Sequence, residues 1–187
     1  MKALAALLAA GRGRRAGGPK AWLEHQGRPL LLRQLDFLLE RFAPEDISVS
    51  IQKSWASRCA ALHAGVRWVE VDPDSPPMAS LLEILRARPG RSWMFFYHVD
   101  MPVWEPGLFE ALYERSLGVA PDLDAVVPTF QGRRGHPVLL SPSSIEELLK
   151  VDPARERLDE WLKARKVSAL ELPFACVLQN WNSPPQP

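Results

Sequence analysis

The amino-acid sequence predicts an α/β protein of three layers, α/β/α, in which helices cover both faces of a mostly parallel sheet. The first indication is the alternation of short apolar stretches with helical stretches along the chain. The second is the opening stretch at residues 3–8, which is apolar throughout, as in a strand buried on both faces of a parallel sheet. Because 187 residues with 47% hydrophobic content suit one core, we expect a single domain over residues 1–187.

The predicted elements follow this first strand in a regular order. Pro29 and a stripe of apolar residues predict a helix over residues 30–41. The strands expected after it lie at 46–51, 66–71, 93–99, 124–129 and 168–172, with one more following a hairpin turn near 130–137. The other expected helices lie at 55–63, 105–116, 143–150 and 154–165. One more is expected after a turn-rich loop that begins at Asp72, and this helix should end near Arg88. Ser143 or Ser144 is the expected cap of the helix at 143–150, with Glu146 and Glu147 in its first turn.

A loop rich in glycine and positive charge follows the first strand. Residues 8–20 read LAAGRGRRAGGPK, with four glycines together with Arg12, Arg14, Arg15 and Lys20. Glycine lets backbone N–H groups approach a ligand closely, and the cations concentrate positive charge at the same place. A solvated surface turn is the simpler alternative, but it does not account for this concentration of glycines and cations. We therefore expect the loop to bind a polyphosphate.

Two well-known phosphate-binding patterns do not fit this loop. Gly11, Gly13 and Ala16 match G-x-G-x-x-A, but the dinucleotide-binding fold also needs a helix that opens at this turn and an acidic residue after the second strand. Pro19 delays the helix here, and the second strand ends without an acidic residue. The P-loop pattern fails because Pro19 intrudes and Ala21 stands where a magnesium-binding Ser or Thr is needed.

Asp100 stands at the end of the most apolar predicted strand, residues 93–99. Open α/β sheets bind ligands outside the carboxyl ends of their strands, so this position suits a functional carboxylate. The simpler alternative is that Asp100 caps the turn that follows. His98 shares the face of Asp100 on the strand, but a single histidine on an apolar strand more often packs in the core.

Residues 8–20 fit the pattern L-A-A-G-x-G-x-R-x-G-x-P-K, which resembles the signature of the molybdopterin guanylyl- and cytidylyltransferases, relatives of the sugar-1-phosphate nucleotidyltransferases. Three later stretches resemble further motifs of this family in the same order: 100–102 (DMP), 135–137 (GHP) and 180–184 (NWNSP). The resemblance implies a Rossmann-like sheet of the nucleotide-diphospho-sugar transferase type. It also implies a Mg²⁺-dependent enzyme that transfers NMP from GTP or CTP to a phosphate acceptor, molybdopterin, and releases pyrophosphate.

The same resemblance implies roles for individual residues. Lys20 and Arg15 would hold the phosphates and, with Asp100, form the catalytic set, while Asp100 would bind the metal. The nucleotide would lie against Leu8, Ala9, Ala10, Gly11, Gly13, Arg15, Lys20 and Ser80. The acceptor would contact His136, Arg134, Asn180 and Asn182.

The base and the acceptor stay open. Asn180 and Asn182 resemble guanylyl-type members, whereas Ala9-Ala10 and the turn at 135–137 resemble the cytidylyl branch. Ser80 fits the family's base-binding loop, but Pro76-Pro77 departs from it, and a helix start capped by Ser75 is an equal alternative. The alternatives for the whole protein are a sugar-1-phosphate nucleotidyltransferase, a dinucleotide-dependent oxidoreductase and a non-catalytic nucleotide-binding protein.

Charge and cysteine content limit the other partners. The chain has 23 Lys and Arg against 22 Asp and Glu, so we expect no general affinity for nucleic acid. Cys59 and Cys176 lack the spacing of a zinc site or a redox pair and are expected to be reduced thiols of a cytoplasmic protein. Arginines directly after the first apolar run argue against a signal peptide, and no apolar run approaches the roughly 20 residues of a membrane span. Oligomeric state is not predicted.

Overall fold

The computed structural model describes residues 2–88, 92–118 and 122–181, except for the side chain of Arg15. The strands in these ranges are β1 (Leu4–Leu8), β2 (Glu24–His25), β3 (Arg28–Pro29), β4 (Ile47–Gln52), β5 (Arg67–Val71), β6 (Met94–His98), β7 (Ala125–Phe130), β8 (Arg133–Arg134), β9 (Val138–Leu140) and β10 (Val167–Glu171). The helices are α1 (Leu30–Leu39), α2 (Ala56–Leu62), α3 (Pro77–Ala87), α4 (Pro106–Leu117), α5 (Pro142–Leu148) and α6 (Leu158–Lys163).

The main sheet has the strand order β10-β7-β9-β6-β1-β4-β5, with β8 paired to β7. Strand β1 lies between β6 and β4 and is parallel to both, and β5 continues the parallel set. Strand β9 is antiparallel to its neighbours β6 and β7, whereas β10 is parallel to β7. The sheet is therefore mostly parallel, as the sequence predicts.

Two cores lie on opposite faces of this sheet, and β1 contributes to both. Ala5 and Leu7 pack in the core that contains α1 and α4, whereas Leu4, Ala6 and Leu8 pack in the core that contains α3, α5 and α6. Side chains alternate between the two faces of a strand, so a strand with helices on both sides is apolar at every position. The expected three-layer arrangement is confirmed.

The sequence places the elements correctly but misses some of their ends. The helix predicted at 154–165 begins only at Leu158, because Asp152 accepts backbone hydrogen bonds from Ala154 and Arg155 in a turn that precedes it. Helix α5 is capped by Ser141, whose Oγ accepts from the backbone N–H of Ser144, so the predicted caps Ser143 and Ser144 are wrong.

Other local expectations are also corrected. Because α5 begins at Pro142, its first turn contains neither Glu146 nor Glu147. Helix α3 has Pro76 at its N-cap and no side-chain cap, so the alternative of a helix capped by Ser75 is wrong. The hairpin of β2 and β3 was not expected. Its turn residues Gln26 and Gly27 both have positive φ, which is the geometry of a tight two-residue hairpin. None of the helices in the described ranges has the length and apolar character needed to cross a membrane.

Candidate active site

A cavity of about 330 Å³ opens at the carboxyl ends of β1, β4, β5 and β6. One wall consists of residues 8–11 and Gly13, which follow β1, and another consists of Asp72, Pro73 and Ser75 together with Ser80 of α3. Asp100 and Lys20 line the cavity between these walls. Parallel strands that end at one edge leave a crevice there, which explains why a ligand site forms at this place.

The loop between β1 and α1 folds onto itself at Gly13. The backbone N–H groups of Ala16 and Gly18 both donate to the carbonyl of Gly13, at 2.8 and 3.2 Å. Gly13 has φ of 60°, and a Cβ at this position would lie 1.8 Å from the carbonyl oxygen of Gly18. Only glycine fits there without a change of the loop.

Gly11 has a different role in the same loop. It lies on the wall of the cavity, and a Cβ added there would have no atom of the described residues within 4 Å. The fold itself therefore does not require glycine at this position. The missing side chain leaves room for a ligand to approach the backbone directly.

Lys20 and Asp100 form an ion pair across the cavity. Lys20 Nζ lies 2.5 Å from Asp100 Oδ2, and the two side chains are 19% and 10% exposed. Lys20 begins a short 3₁₀ turn after the glycine-rich loop, whereas Asp100 follows β6 directly. Two predicted catalytic residues, 80 positions apart in the chain, therefore meet at one point.

Two arginines of the loop, Arg12 and Arg14, contact the acidic segment that follows β5. Arg12 binds both carboxylate oxygens of Asp74 at 2.6 Å, and Arg14 binds the same carboxylate at 3.0 Å. The hydrogen bond from Arg12 is the largest cause of the lowered pKa of Asp74. Arg15, which the resemblance makes catalytic, has its side chain outside the described part of the chain.

Two histidines lie behind the ion pair. His98 lines the cavity, and its ring is 6.4 Å from the ring of His136. Burial lowers the pKa of His98, and burial together with the nearby His98 lowers the pKa of His136 to about 4. Nδ1 of His136 is buried and has no hydrogen-bond partner among the described residues. Burial therefore favours the neutral form of both imidazoles.

The expected acceptor residues are not gathered in the cavity. Arg134 is exposed on β8 and Asn180 is exposed near the end of the described chain, while His136 is half-buried next to His98 and does not line the cavity. The backbone N–H of Trp181 donates to the carbonyl of Asp100 at 2.9 Å. This hydrogen bond brings Trp181, the residue after Asn180, close to the ion pair of Lys20 and Asp100. Asn182 lies outside the described residues.

Comparison with protein-family models matches residues 5–169 to the MobA-like NTP transferase domain. The chain belongs to this family. Nucleotidyl transfer is the activity that this membership supports, with a nucleoside triphosphate as substrate and a phosphate as acceptor. The expected resemblance to molybdopterin nucleotidyltransferases is thereby confirmed. A search of curated proteins found no match.

Several solved structures share the fold of this MobA-like domain. Rv0371c from Mycobacterium tuberculosis H37Rv has a TM-score of 0.80 and 21% identity, over 98% of this chain and 93% of that chain. Molybdopterin-guanine dinucleotide biosynthesis protein A from Archaeoglobus fulgidus has a TM-score of 0.65 and 20% identity, over 89% and 82%. A 4-diphosphocytidyl-2C-methyl-D-erythritol synthase from Anaerococcus prevotii has a TM-score of 0.70 and 16% identity, over 95% and 89%. The nucleotide-diphospho-sugar transferase fold is therefore confirmed.

The relative from Mycobacterium tuberculosis was also solved as a complex with manganese. That structure matches this chain with a TM-score of 0.70 and 20% identity, over 92% of this chain and 89% of that chain. The manganese is a property of that complex, and at this identity the match shows a shared fold only.

Several cavity residues of this MobA-like domain were not identified from the sequence. Ser50 lies near the end of β4, and Asp72 and Pro73 follow β5. Their position after parallel strands is the signal that could have found them, because the ends of adjacent parallel strands share one edge. His98 also lines the cavity, where the sequence favoured a packed histidine. Gln52 donates to the carbonyl of Ala10 at 2.9 Å, so the residue that ends β4 supports the loop.

Proposed function

We propose that the protein is a Mg²⁺-dependent nucleotidyltransferase that transfers NMP from GTP or CTP to the phosphate of molybdopterin and releases pyrophosphate. The observation that carries this proposal is the cavity in which the glycine-rich loop, Lys20 and Asp100 meet. An oxygen of the acceptor phosphate would form a bond to the α-phosphorus of the triphosphate. At the same time the bond between this phosphorus and the oxygen bridging to the β-phosphate would break, and pyrophosphate would leave.

The loop supports binding of the triphosphate. Gly11 leaves open space above the backbone, and the cavity wall from Leu8 to Gly13 is long enough to contact both a nucleoside and its phosphates. Lys20 would move from Asp100 to the phosphates when the nucleotide binds, and Arg15 is proposed to act beside it. Such a reaction needs positioning and charge neutralisation more than covalent chemistry, and this loop supplies both.

The chemistry of Asp100 suits a hard divalent cation. Its carboxylate lines the cavity and already pairs with a cation, the ammonium group of Lys20. Mg²⁺ commonly takes one or two protein carboxylates and completes its coordination with phosphate oxygens and water. Within the described ranges no cluster of three or more His, Cys, Asp or Glu could hold a metal, so the triphosphate must supply much of the coordination. When bound, the metal would neutralise charge on the phosphates.

Guanine is the base that we propose, because Asn180 and Asn182 resemble guanylyl-type members. Ala9 and Ala10 resemble the cytidylyl branch, so CTP is the alternative. Ser80 is buried on the cavity wall and could contact the base, while Pro77 lines the same cavity. Arg134, His136, Asn180 and Asn182 are proposed for the acceptor side.

We also propose that the chain works as one cytoplasmic domain. The support for one domain is that the two cores pack against a single main sheet, whose edge strands are β5 and β10. The support for a reducing compartment is that Cys59 and Cys176 are both free thiols, and burial raises the pKa of Cys59 to about 11.

A pyrophosphate-release assay tests the proposed reaction. The protein is incubated with Mg²⁺, with GTP or CTP, and with molybdopterin or a sugar 1-phosphate. Release with GTP and molybdopterin supports the proposal, and a clear preference for CTP would overturn the choice of base. Release only with the sugar 1-phosphate would identify a different acceptor. If the protein binds triphosphate but releases no pyrophosphate with any acceptor, it would be a nucleotide-binding protein, and the proposed enzymatic activity would be contradicted.

A further inference from the structure

We propose that Gln34, a buried residue of helix α1, is a positioning residue that holds the metal-binding carboxylate of Asp100 in place. It acts on residues 99–103, which we call the Asp100 turn. The inference rests on the proposed function, because it concerns the metal site that the function requires. It concerns a residue that touches neither the cavity nor any substrate placed there.

Gln34 interrupts the apolar face of α1. The buried residues around it on this helix include Leu30, Leu31, Leu35 and Leu38, and Gln34 itself is 0% exposed. A carboxamide taken out of water in this way is costly unless its donors and acceptors find partners. The hydrogen bonds of Gln34 therefore explain its presence in the core.

Both donors of Gln34 act on the Asp100 turn. Nε2 donates to the carbonyl of Val99 at 3.1 Å and to the carbonyl of Met101 at 2.8 Å. A carboxamide nitrogen has two N–H groups, so this one side chain can bind both carbonyls at once. The two carbonyls belong to the residues on either side of Asp100.

The oxygen of Gln34 fixes the direction of the carboxamide. Oε1 accepts from Trp104 Nε1 at 3.0 Å and from the hydroxyl of Tyr97 at 3.3 Å. The indole nitrogen is only a donor, so it requires the oxygen on its side and the NH₂ group on the side of the turn. Tyr97 precedes the turn on β6 and Trp104 follows it, so Gln34 joins both ends of the turn.

The Asp100 turn needs such contacts because the sheet ends there. Strand β9 pairs with β6 only at Met94, Phe95 and Phe96, and the last bond to β1 is from the N–H of Val99 to the carbonyl of Leu8. The carbonyl of Asp100 accepts from Trp181 N–H at 2.9 Å. Three successive carbonyls beyond the sheet are therefore bound, two of them by Gln34. This arrangement fixes the backbone of Asp100 while its carboxylate faces the cavity.

The test compares Gln34→Met with a stability control. Methionine has a similar length and removes all four hydrogen bonds, whereas Leu35→Val removes one methylene group from the same buried face and leaves those bonds in place. Trp104→Phe removes a single bond to Oε1 and provides an intermediate case. For each protein we would measure the melting temperature, the amide exchange of residues 99–103, and the Mn²⁺ dissociation constant with a non-hydrolysable triphosphate bound.

Gln34→Met should speed amide exchange in the Asp100 turn and weaken Mn²⁺ binding by about ten-fold, the usual effect of losing a partner that orients a metal ligand. At saturating Mn²⁺ the KM for the triphosphate should stay within about two-fold, since Gln34 does not line the cavity. Leu35→Val should lower the melting temperature but leave both Mn²⁺ binding and the amide exchange of the Asp100 turn unchanged. Gln34→Leu, which also removes every donor and acceptor of the carboxamide at a similar volume, should resemble Gln34→Met and serves if that variant does not fold.

Unchanged Mn²⁺ binding in a folded Gln34 variant would overturn the inference. The inference would also fail if Leu35→Val weakened Mn²⁺ binding as much as the Gln34 variant does. Failure of the proposed function gives a different result, because the parent protein would then bind no metal at all. In that case faster exchange confined to residues 99–103 in Gln34→Met would still support the positioning of the turn. Unchanged exchange would contradict it.

Discussion

The two sides of Asp100 are built in different ways. The nucleotide side, meaning the loop at 8–20 and the ends of β1, β4, β5 and β6, forms one open cavity from parallel strands. The acceptor side, meaning Arg134, His136 and residues 175–181, depends on an antiparallel strand pair and on a late segment that crosses it. His136 donates its backbone N–H to Val177, and Gly135 packs so closely on the Val177 carbonyl that a Cβ would lie 2.3 Å from it.

This difference shows how much of a site a local motif can specify. On the nucleotide side, neighbouring residues in the sequence supply both the backbone groups and the charge, so the loop forms a recognisable pattern. On the acceptor side, the contacts of Gly135 and His136 with Val177 join segments that are far apart in the sequence. The predictions below test whether the nucleotide side performs the chemistry while the acceptor side chiefly shapes its surroundings.

The largest effect is expected from Asp100→Asn. The change keeps the size of the side chain but removes the charge that would bind the metal, and loss of several kcal/mol of metal stabilisation corresponds to about a 1,000-fold slower transfer. Pyrophosphate release measures the rate, and circular dichroism checks that the fold is intact. Activity close to that of the parent protein would remove Asp100 from the mechanism.

A pH titration of stability tests the acceptor side. His136 has a pKa of about 4 in the folded protein, against 6.5 for an unperturbed histidine. Between these values the unfolded chain binds a proton that the folded protein does not, so the free energy of unfolding should fall as the pH drops from 6.5 to 4, by about 3 kcal/mol.

Denaturant unfolding at a series of pH values measures this change, with His136→Asn as the control. The variant cannot take up this proton, so its stability should depend less on pH over the same interval. Identical slopes for the two proteins would mean that His136 is open to water and that the acceptor side is less closed than described.

Lys20→Ala should act on the nucleotide side. It removes a charge-assisted contact to phosphate, which should weaken triphosphate binding by about 10- to 150-fold. Arg12→Ala is the matched control, because Arg12 is about half exposed and already pairs with Asp74. Loss of such a surface pair should change binding by less than about five-fold. Calorimetric titration of GTP into each variant measures the two losses of affinity. Equal losses in Lys20→Ala and Arg12→Ala would show that the loop acts only through its total charge.

The smallest effect is expected from Gly11→Ala. The added methyl group meets no atom of the protein but enters the space that a ligand would fill, so it should weaken nucleotide binding by about ten-fold without loss of stability. Gly13→Ala provides the contrast, since its Cβ overlaps the carbonyl of Gly18 and should disturb the loop itself. Nucleotide titration and thermal unfolding of both variants measure these outcomes. Unchanged binding in Gly11→Ala would place the nucleotide elsewhere.

The sequence predicts the sheet, the helices and the loop that lines the cavity because each depends on local patterns. Strand β1 is apolar on both faces, and the loop motif requires its glycines within a few residues. The boundary of α6 could not be predicted, because the Asp152 turn competes with helical propensity in the preceding residues. The sequence places His98 on the same face of the strand as Asp100, but the elements that pack around this face decide whether His98 lies in the core or beside the cavity. Gln34 was recognisable only as a polar residue in an apolar stripe, and its partners become known only from the folded chain.

The proposed function requires a metal site shared by Asp100 and the bound nucleotide. The most direct test of this site is a calorimetric titration of Mg²⁺ with and without a non-hydrolysable triphosphate. In the free protein Lys20 pairs with Asp100, so metal binding should be weak. Bound triphosphate should draw Lys20 away and add its own oxygens, so that affinity rises at least about ten-fold, and the metal should tighten triphosphate binding by the same factor. Asp100→Asn should reduce this increase to the part that the triphosphate alone produces, so the variant corrects for metal bound without Asp100. Equal metal affinity with and without triphosphate, or the same increase in Asp100→Asn, would contradict a metal site shared by Asp100 and the nucleotide.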